Sequence, residues 1–164
     1  MCPLFKPLLL ISITNNNQGI IMGTRSNIQA EFTPGKSLAI YAHWDGYPSG
    51  MGSKLLKHYN TKAKALELVS HGDVSSVQAS CKKPKGHTFD NPKEGYCSYY
   101  GRDRNETGNG IKPDVVDTFK ISPIKQGQEW QYQFTKGKWY VDCNTGNWQE
   151  LTPELVADDG EGWF

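Results

Sequence analysis

No apolar run approaches the ~20 residues that a bilayer-spanning helix needs. The longest stretch, within MCPLFKPLLLISI, is short and broken by Pro3 and Pro7. Neither sign of charge dominates: 18 Lys and Arg stand against 17 Asp and Glu. The chain therefore has no field for coating nucleic acid or for settling on an anionic membrane. Close cysteine pairs are missing too. Cys2, Cys81, Cys97 and Cys143 are scattered, with no Cys-x-x-Cys, so a structural zinc site is not expected and free, partly buried thiols of a reducing cytoplasm are. Gly-x-Ser-x-Gly, Walker and Gly-x-Gly-x-x-Gly signatures are absent, which removes the usual support for a serine nucleophile, a P-loop or a dinucleotide fold. No cofactor is expected. Asn105-Glu106-Thr107 matches a glycosylation acceptor, but that matters only in a secreted eukaryotic protein.

What the sequence has instead is aromatics and turns. Phe, Trp and Tyr make up 12% of the 164 residues, beside 17 Gly and 9 Pro. That composition suits one β-rich domain with many turns, large enough to bury a core without staples. The first 21 residues read differently. They lack a small-residue cleavage site, and polar TNNNQG follows the apolar run, so a signal peptide is disfavoured. Gln18-Gly19 can be encoded CAA-GGA, which contains the ribosome-binding sequence AAGGA. Ile20 and Ile21 then form a spacer before Met22. Residues 1–21 are thus expected to be translated upstream sequence or a disordered extension, with a single α+β domain over 22–150 and an acidic tail over 151–164.

From Thr24 onward Ile28, Ala30 and Phe32 alternate with Asn27, Gln29 and Glu31, the period of a half-buried strand. TPGK makes a turn, and SLAIYAHW returns with Leu38, Ile40, Ala42 and Trp44 inward and Tyr41 and His43 on the opposite face. Ser53 and Thr61 are expected to cap two short helices, the second carrying Leu66 and Val69 inward and closed by Gly72. Residues 78–95 read as loop, YCSYYG and VVDTFKIS as short strands. EWQYQF-TKGK-WYVDC is the clearest hairpin, with Trp130, Tyr132 and Phe134 facing Trp139, Val141 and Cys143. The expected architecture is α+β: an antiparallel sheet with two short helices packed on one face.

Three polar clusters fall at strand ends or in loops, where sites tend to sit. Arg25 joins His43, Asp45 and Tyr47. HTFDNP contributes His87 and Asp90. YGRDRNE contributes Arg102, Asp103 and Arg104. The two His/Asp pairs would suit a divalent metal or acid–base work on a phosphodiester. Against that, Asp45-Gly46 and Asp90-Asn91-Pro92 are ordinary turn formers, and no metal is expected. The arginine segment reads either as a surface ladder of ion pairs or as an anion grip, with Arg102 and Arg104 on a phosphate and Asp103 orienting one of them. Trp44, Tyr47, Tyr99 and Tyr100 would then stack a base.

MGTRSNI after Met22, IYAHWDGYP, LLKHYNT, HGDVSS, HTFDNP, YGRDRNE and WQYQFTKGKWYV follow one another in an order that resembles a largely uncharacterised family of small bacteriophage and prophage proteins. The resemblance runs from Met22 to about Trp148, and rests on the assembly of motifs rather than on any one of them. It implies an accessory protein acting in the host bacterial cytoplasm and transfers no catalytic residue. The expected function is non-catalytic binding of a host protein or of a phosphate-bearing, nucleotide-like ligand, in the manner of counter-defence. The alternatives are a small phosphodiester hydrolase and a structural phage component that self-assembles into homo-oligomers.

Overall fold

Alternation over the first hairpin does what its period requires. In the computed structural model, which describes residues 23–121 and 127–159 (the last two by backbone alone), β1 (Ser26–Thr33) and β2 (Lys36–Ala42) pair antiparallel. Gly35 takes φ 79° in the turn between them, a conformation that costs glycine nothing. Ile28, Ala30, Ile40 and Ala42 are all buried on one face. β6 (Trp130–Thr135) and β7 (Lys138–Asp142) form the second hairpin, in the register Tyr132↔Val141 and Phe134↔Trp139. Their aromatics join the same core as Ile28 and Ile40.

The hairpins are stitched together by parallel pairing. β6 lies parallel to β1, from Ser26↔Trp130 to Ala30↔Phe134. β3 (Val74–Ser76) lies parallel to the end of β2 at Ala42↔Val74. β4 (Ser98–Tyr99) continues that edge, and β8 (Gln149–Glu150) flanks β7. β5 (Asp114–Asp117) pairs antiparallel with the first half of β2. The order is β4-β3-β2-β1-β6-β7-β8, with β5 on β2. The fold is α+β, but the sheet is mixed where a purely antiparallel one was expected. Parallel neighbours need a long crossover, and no local signal marks which distant strands will meet.

α1 (Ser53–His58) and α2 (Lys62–Ser70) follow, then α3 (Tyr100–Arg104) and α4 (Pro153–Asp159). The Thr61 hydroxyl caps α2 by accepting from Lys64 N–H at 3.3 Å. α2 buries Ala65, Leu68 and Val69 against the sheet, with Leu66 only half-buried. Ser53 caps nothing, because a π-helical turn over Pro48–Gly52 runs straight into α1. Trp44 and Phe32, expected inside, are 39% and 38% exposed. β2 ends at Ala42 and the chain turns away at Asp45, φ 57°, so Trp44 no longer follows the pleat. Phe32 lies at the C-terminal end of β1, where burial fades. Leu151 is buried, with Leu155 and Val156 packed against the core, so the start of the expected acidic tail belongs to the domain. Residues 1–21, the expected extension, lie outside the described residues. Cys81 and Cys97 are buried free thiols, whereas Cys143 is disulfide-bonded, against the four free thiols expected. Among the described residues no helix is long and apolar enough to cross a membrane.

The opposite face of the sheet is buried and polar. Asn27 donates to Gln131 at 3.2 Å, Gln128 to Asn27 at 3.1 Å and Gln131 to Asn144 at 2.9 Å. Gln29 donates to the Lys120 carbonyl at 2.9 Å and Gln133 to Ser37 at 2.9 Å. Buried amides cost stability unless so connected. This network is continuous with the strand ends that carry Arg25, Tyr41 and His43.

Candidate functional site

Tyr41 and His43 are two residues apart at the end of β2, so both project from the polar face. The Tyr41 hydroxyl lies 2.6 Å from His43 Nδ1. Arg25 follows from the neighbouring strand, one position beyond the last pair, Ser26↔Ala42. Asp73, in the turn between α2 and β3, accepts from Tyr41 N–H at 2.9 Å and so pins the β2 backbone. Burial pushes the Tyr41 hydroxyl pKa up, and the Arg25 guanidinium, hydrogen-bonded to it, pulls the other way. Burial, then the Arg25 charge, pushes the His43 pKa down. With Arg25 donating to the phenol oxygen, the phenol proton goes to Nδ1 of a neutral His43, which leaves the proton of that imidazole on Nε2. Arg25 Nε is buried and has no hydrogen-bond partner among the described residues.

A groove adjoins this cluster. His43 and Trp44 meet edge-on, with ring centroids 4.6 Å apart. Trp44, Ser75, Gln78, Phe89, Tyr96 and Ser98 help to line a cavity of about 320 Å³. Tyr100 stands at its margin: burial raises its pKa, against a hydrogen bond to Ser75. The Arg104 guanidinium covers the Phe89 and Tyr100 rings at 4.5 and 5.0 Å and pairs with Glu106. Asp45 sits aside, 3.6 Å from Lys54 Nζ and 3.4 Å from the half-buried Tyr47 hydroxyl.

The third sequence cluster folds inward. Asp103, 5% exposed, accepts from Tyr99 N–H at 2.8 Å and from Arg102 Nε and Nη2 at 2.9 and 3.0 Å. Arg102 gives its other donors to the carbonyls of Cys81, at 2.7 Å, and Cys97, at 3.3 Å. Burial opposes ionisation of Asp103, but the bonds from Arg102 and Tyr99 outweigh it and the pKa falls. His87, 1% exposed, accepts from Lys93 N–H at Nδ1, 3.0 Å, so its Nε2 carries the proton toward the Cys97 carbonyl at 3.0 Å. Both of its nitrogens are taken. Asp90 is exposed in a loop closed by Thr88, whose hydroxyl accepts from Asn91 N–H at 3.0 Å. A metal held jointly by His43, Asp45, His87 and Asp90 therefore finds no common centre, and Arg102 commits all three of its nitrogens to Asp103 and the carbonyls of Cys81 and Cys97 rather than to an anion.

The structure brings Arg25 and His43 together, leaves Asp45 and Tyr47 at their edge, and stacks Arg104 on Phe89 and Tyr100. Asp73 and Ser75 were missed, because a lone Asp in HGDV and one of two adjacent serines in VSS carry no spacing signal. Tyr41 was legible through its alternation with Ala42. Among the described residues the donor atoms of Glu67, His71 and Cys81 also converge, all within 4.8 Å of one another. No protein-family model, curated protein or solved structure matches the chain.

Proposed function

We propose that this is a phage-type accessory protein that binds, without catalysis, a phosphate-bearing ligand at the Arg25–Tyr41–His43 cluster. The observation that carries the reading is Arg25 Nε: a buried, charged donor with no protein partner among the described residues. Such a donor costs stability unless an acceptor reaches it, and a phosphate oxygen suits the guanidinium fork. His43 Nε2–H supplies a second donor in the same cluster, while the neutral imidazole adds no charge of its own. Trp44 and Phe89 offer rings in the adjoining groove, where the planar part of a nucleotide-like ligand would stack.

The hydrolase reading loses its second histidine, since His87 is occupied on both nitrogens. The family resemblance supports a role in the host cytoplasm. Calorimetric titration with inorganic phosphate and with nucleoside monophosphates tests the proposal. Saturable binding is expected, with the nucleotides tighter than phosphate alone. Arg25→Ala should weaken it by ~1.5–3 kcal/mol, roughly 10- to 100-fold, the worth of a charge-assisted hydrogen bond. Binding that survives Arg25→Ala unchanged would remove the site. Turnover of a nucleotide or dinucleotide would restore the enzyme reading, and large oligomers on a sizing column would favour the structural one.

A further inference from the structure

We propose that Glu67, His71 and Cys81 form a binding site for a thiophilic divalent cation of the Zn2+ class. The site is separate from the Arg25 cluster and rests on different residues. Glu67 and His71 are one helical turn apart at the end of α2, so their side chains share a face. Cys81 comes from the distant loop before β4. Local bonding fixes it there: Ser80 N–H donates to the Gly95 carbonyl at 3.0 Å and Cys97 N–H to the Ser80 carbonyl at 2.9 Å. Arg102 then holds the Cys81 carbonyl at 2.7 Å. The His71 ring is positioned as well, edge-on to Tyr99 with centroids 4.9 Å apart.

Oxygen, nitrogen and sulfur donors thus converge to within 4.8 Å. Around Zn2+, with bonds of about 2.0–2.3 Å, tetrahedral neighbours lie about 3.5 Å apart. Closure asks for a movement of the order of 1 Å between side chains of which Glu67 is exposed and His71 half-buried. A thiolate with an imidazole and a carboxylate selects Zn2+-like ions over Mg2+ or Ca2+. Glu67 and Cys81 also line a cavity of about 210 Å³, which provides the entry path and an open fourth position. Lys57, Lys64 and Lys82 rim that cavity. They weaken attraction for a bare cation and favour an anion as the fourth ligand. Sequence spacing concealed the site, because its cysteine stands alone and its two helical donors resemble a solvated face.

Titration of the chelator-treated full chain with Co2+, read by absorption, tests this. One equivalent should produce a thiolate-to-Co2+ charge-transfer band, displaced by Zn2+ and absent in Cys81→Ser. Glu67→Gln, an exposed change that leaves the core untouched, should lower affinity by more than the roughly 10- to 100-fold of an outer-shell loss. His71→Ala should do likewise, and His58→Ala, in the same cavity, should not. A full chain that gives no band, a band that persists in Cys81→Ser, or Glu67→Gln and His71→Ala both binding as tightly as the wild type would overturn the assignment.

Discussion

Two arginines in this molecule face opposite situations. Arg102 lies beside a buried carboxylate and two backbone carbonyls, and each of its three nitrogens donates to one of them. Arg25 sits at a strand end beside a tyrosine and a histidine, with its Nε buried and unpartnered among the described residues. In the sequence Arg102 looked the better anion binder, because it stands in a charged run. In the fold, the acid next to it consumes its donors. A charged residue's neighbours in the chain thus say less about function than whether its donors find acceptors inside the protein.

The largest effect is expected at Asp103. Asp103→Ala strips the acceptor from Arg102 Nε and from the Tyr99 N–H, and the loss of a buried partner costs ~3–5 kcal/mol. Denaturant unfolding should report a loss near the lower end of that range, since Arg102 retains its two carbonyls. Arg25→Ala should do the reverse. Removing a charged donor that lacks one partner should change stability by less than about 1 kcal/mol, while ligand affinity falls.

Acidification sharpens the same contrast. His43, His58 and His71 all have pKa values lowered by burial from the ordinary 6.5. Below that value the unfolded chain takes up protons that the folded one resists, so stability falls as pH drops through 6.5 toward the folded pKa values, then levels. His43→Gln should remove its share of that slope, readable in melting temperature between pH 7 and 5. Asp103 adds a second loss at lower pH. Its pKa is depressed from 3.8, so its stabilisation holds above that value and disappears as pH falls through the folded one. The smallest effect is expected at Trp44. Trp44→Ala should alter stability by less than about 0.5 kcal/mol, as exposed positions do, yet weaken nucleotide binding by ~1–3 kcal/mol if a base stacks there.

Period-2 alternation carried both hairpins correctly, because Ile28, Ile40, Tyr132 and Val141 each face a core their neighbours do not. The Thr61 cap was legible for a similarly local reason. The parallel joins between β1 and β6 and between β2 and β3 were not, since nothing near Ser26 points to Trp130. Trp44 misled the inward reading because the pleat stops two residues before it. At the site, Arg25 and His43 were visible as residues, but their meeting depends on strand register. The closure of Arg102 by the carbonyls of Cys81 and Cys97 depends on backbone that no side-chain pattern encodes.

The proposed function turns on Arg25, whose buried Nε lacks a partner among the described residues, rather than Arg102 meeting the oxyanion. Nitrogen-15 NMR of the arginine Nε–H groups tests it directly during titration with a nucleoside monophosphate. The Arg25 resonance should shift saturably while that of Arg102 stays in place. A static Arg25 resonance, or a shift at Arg102 of equal size, would contradict it.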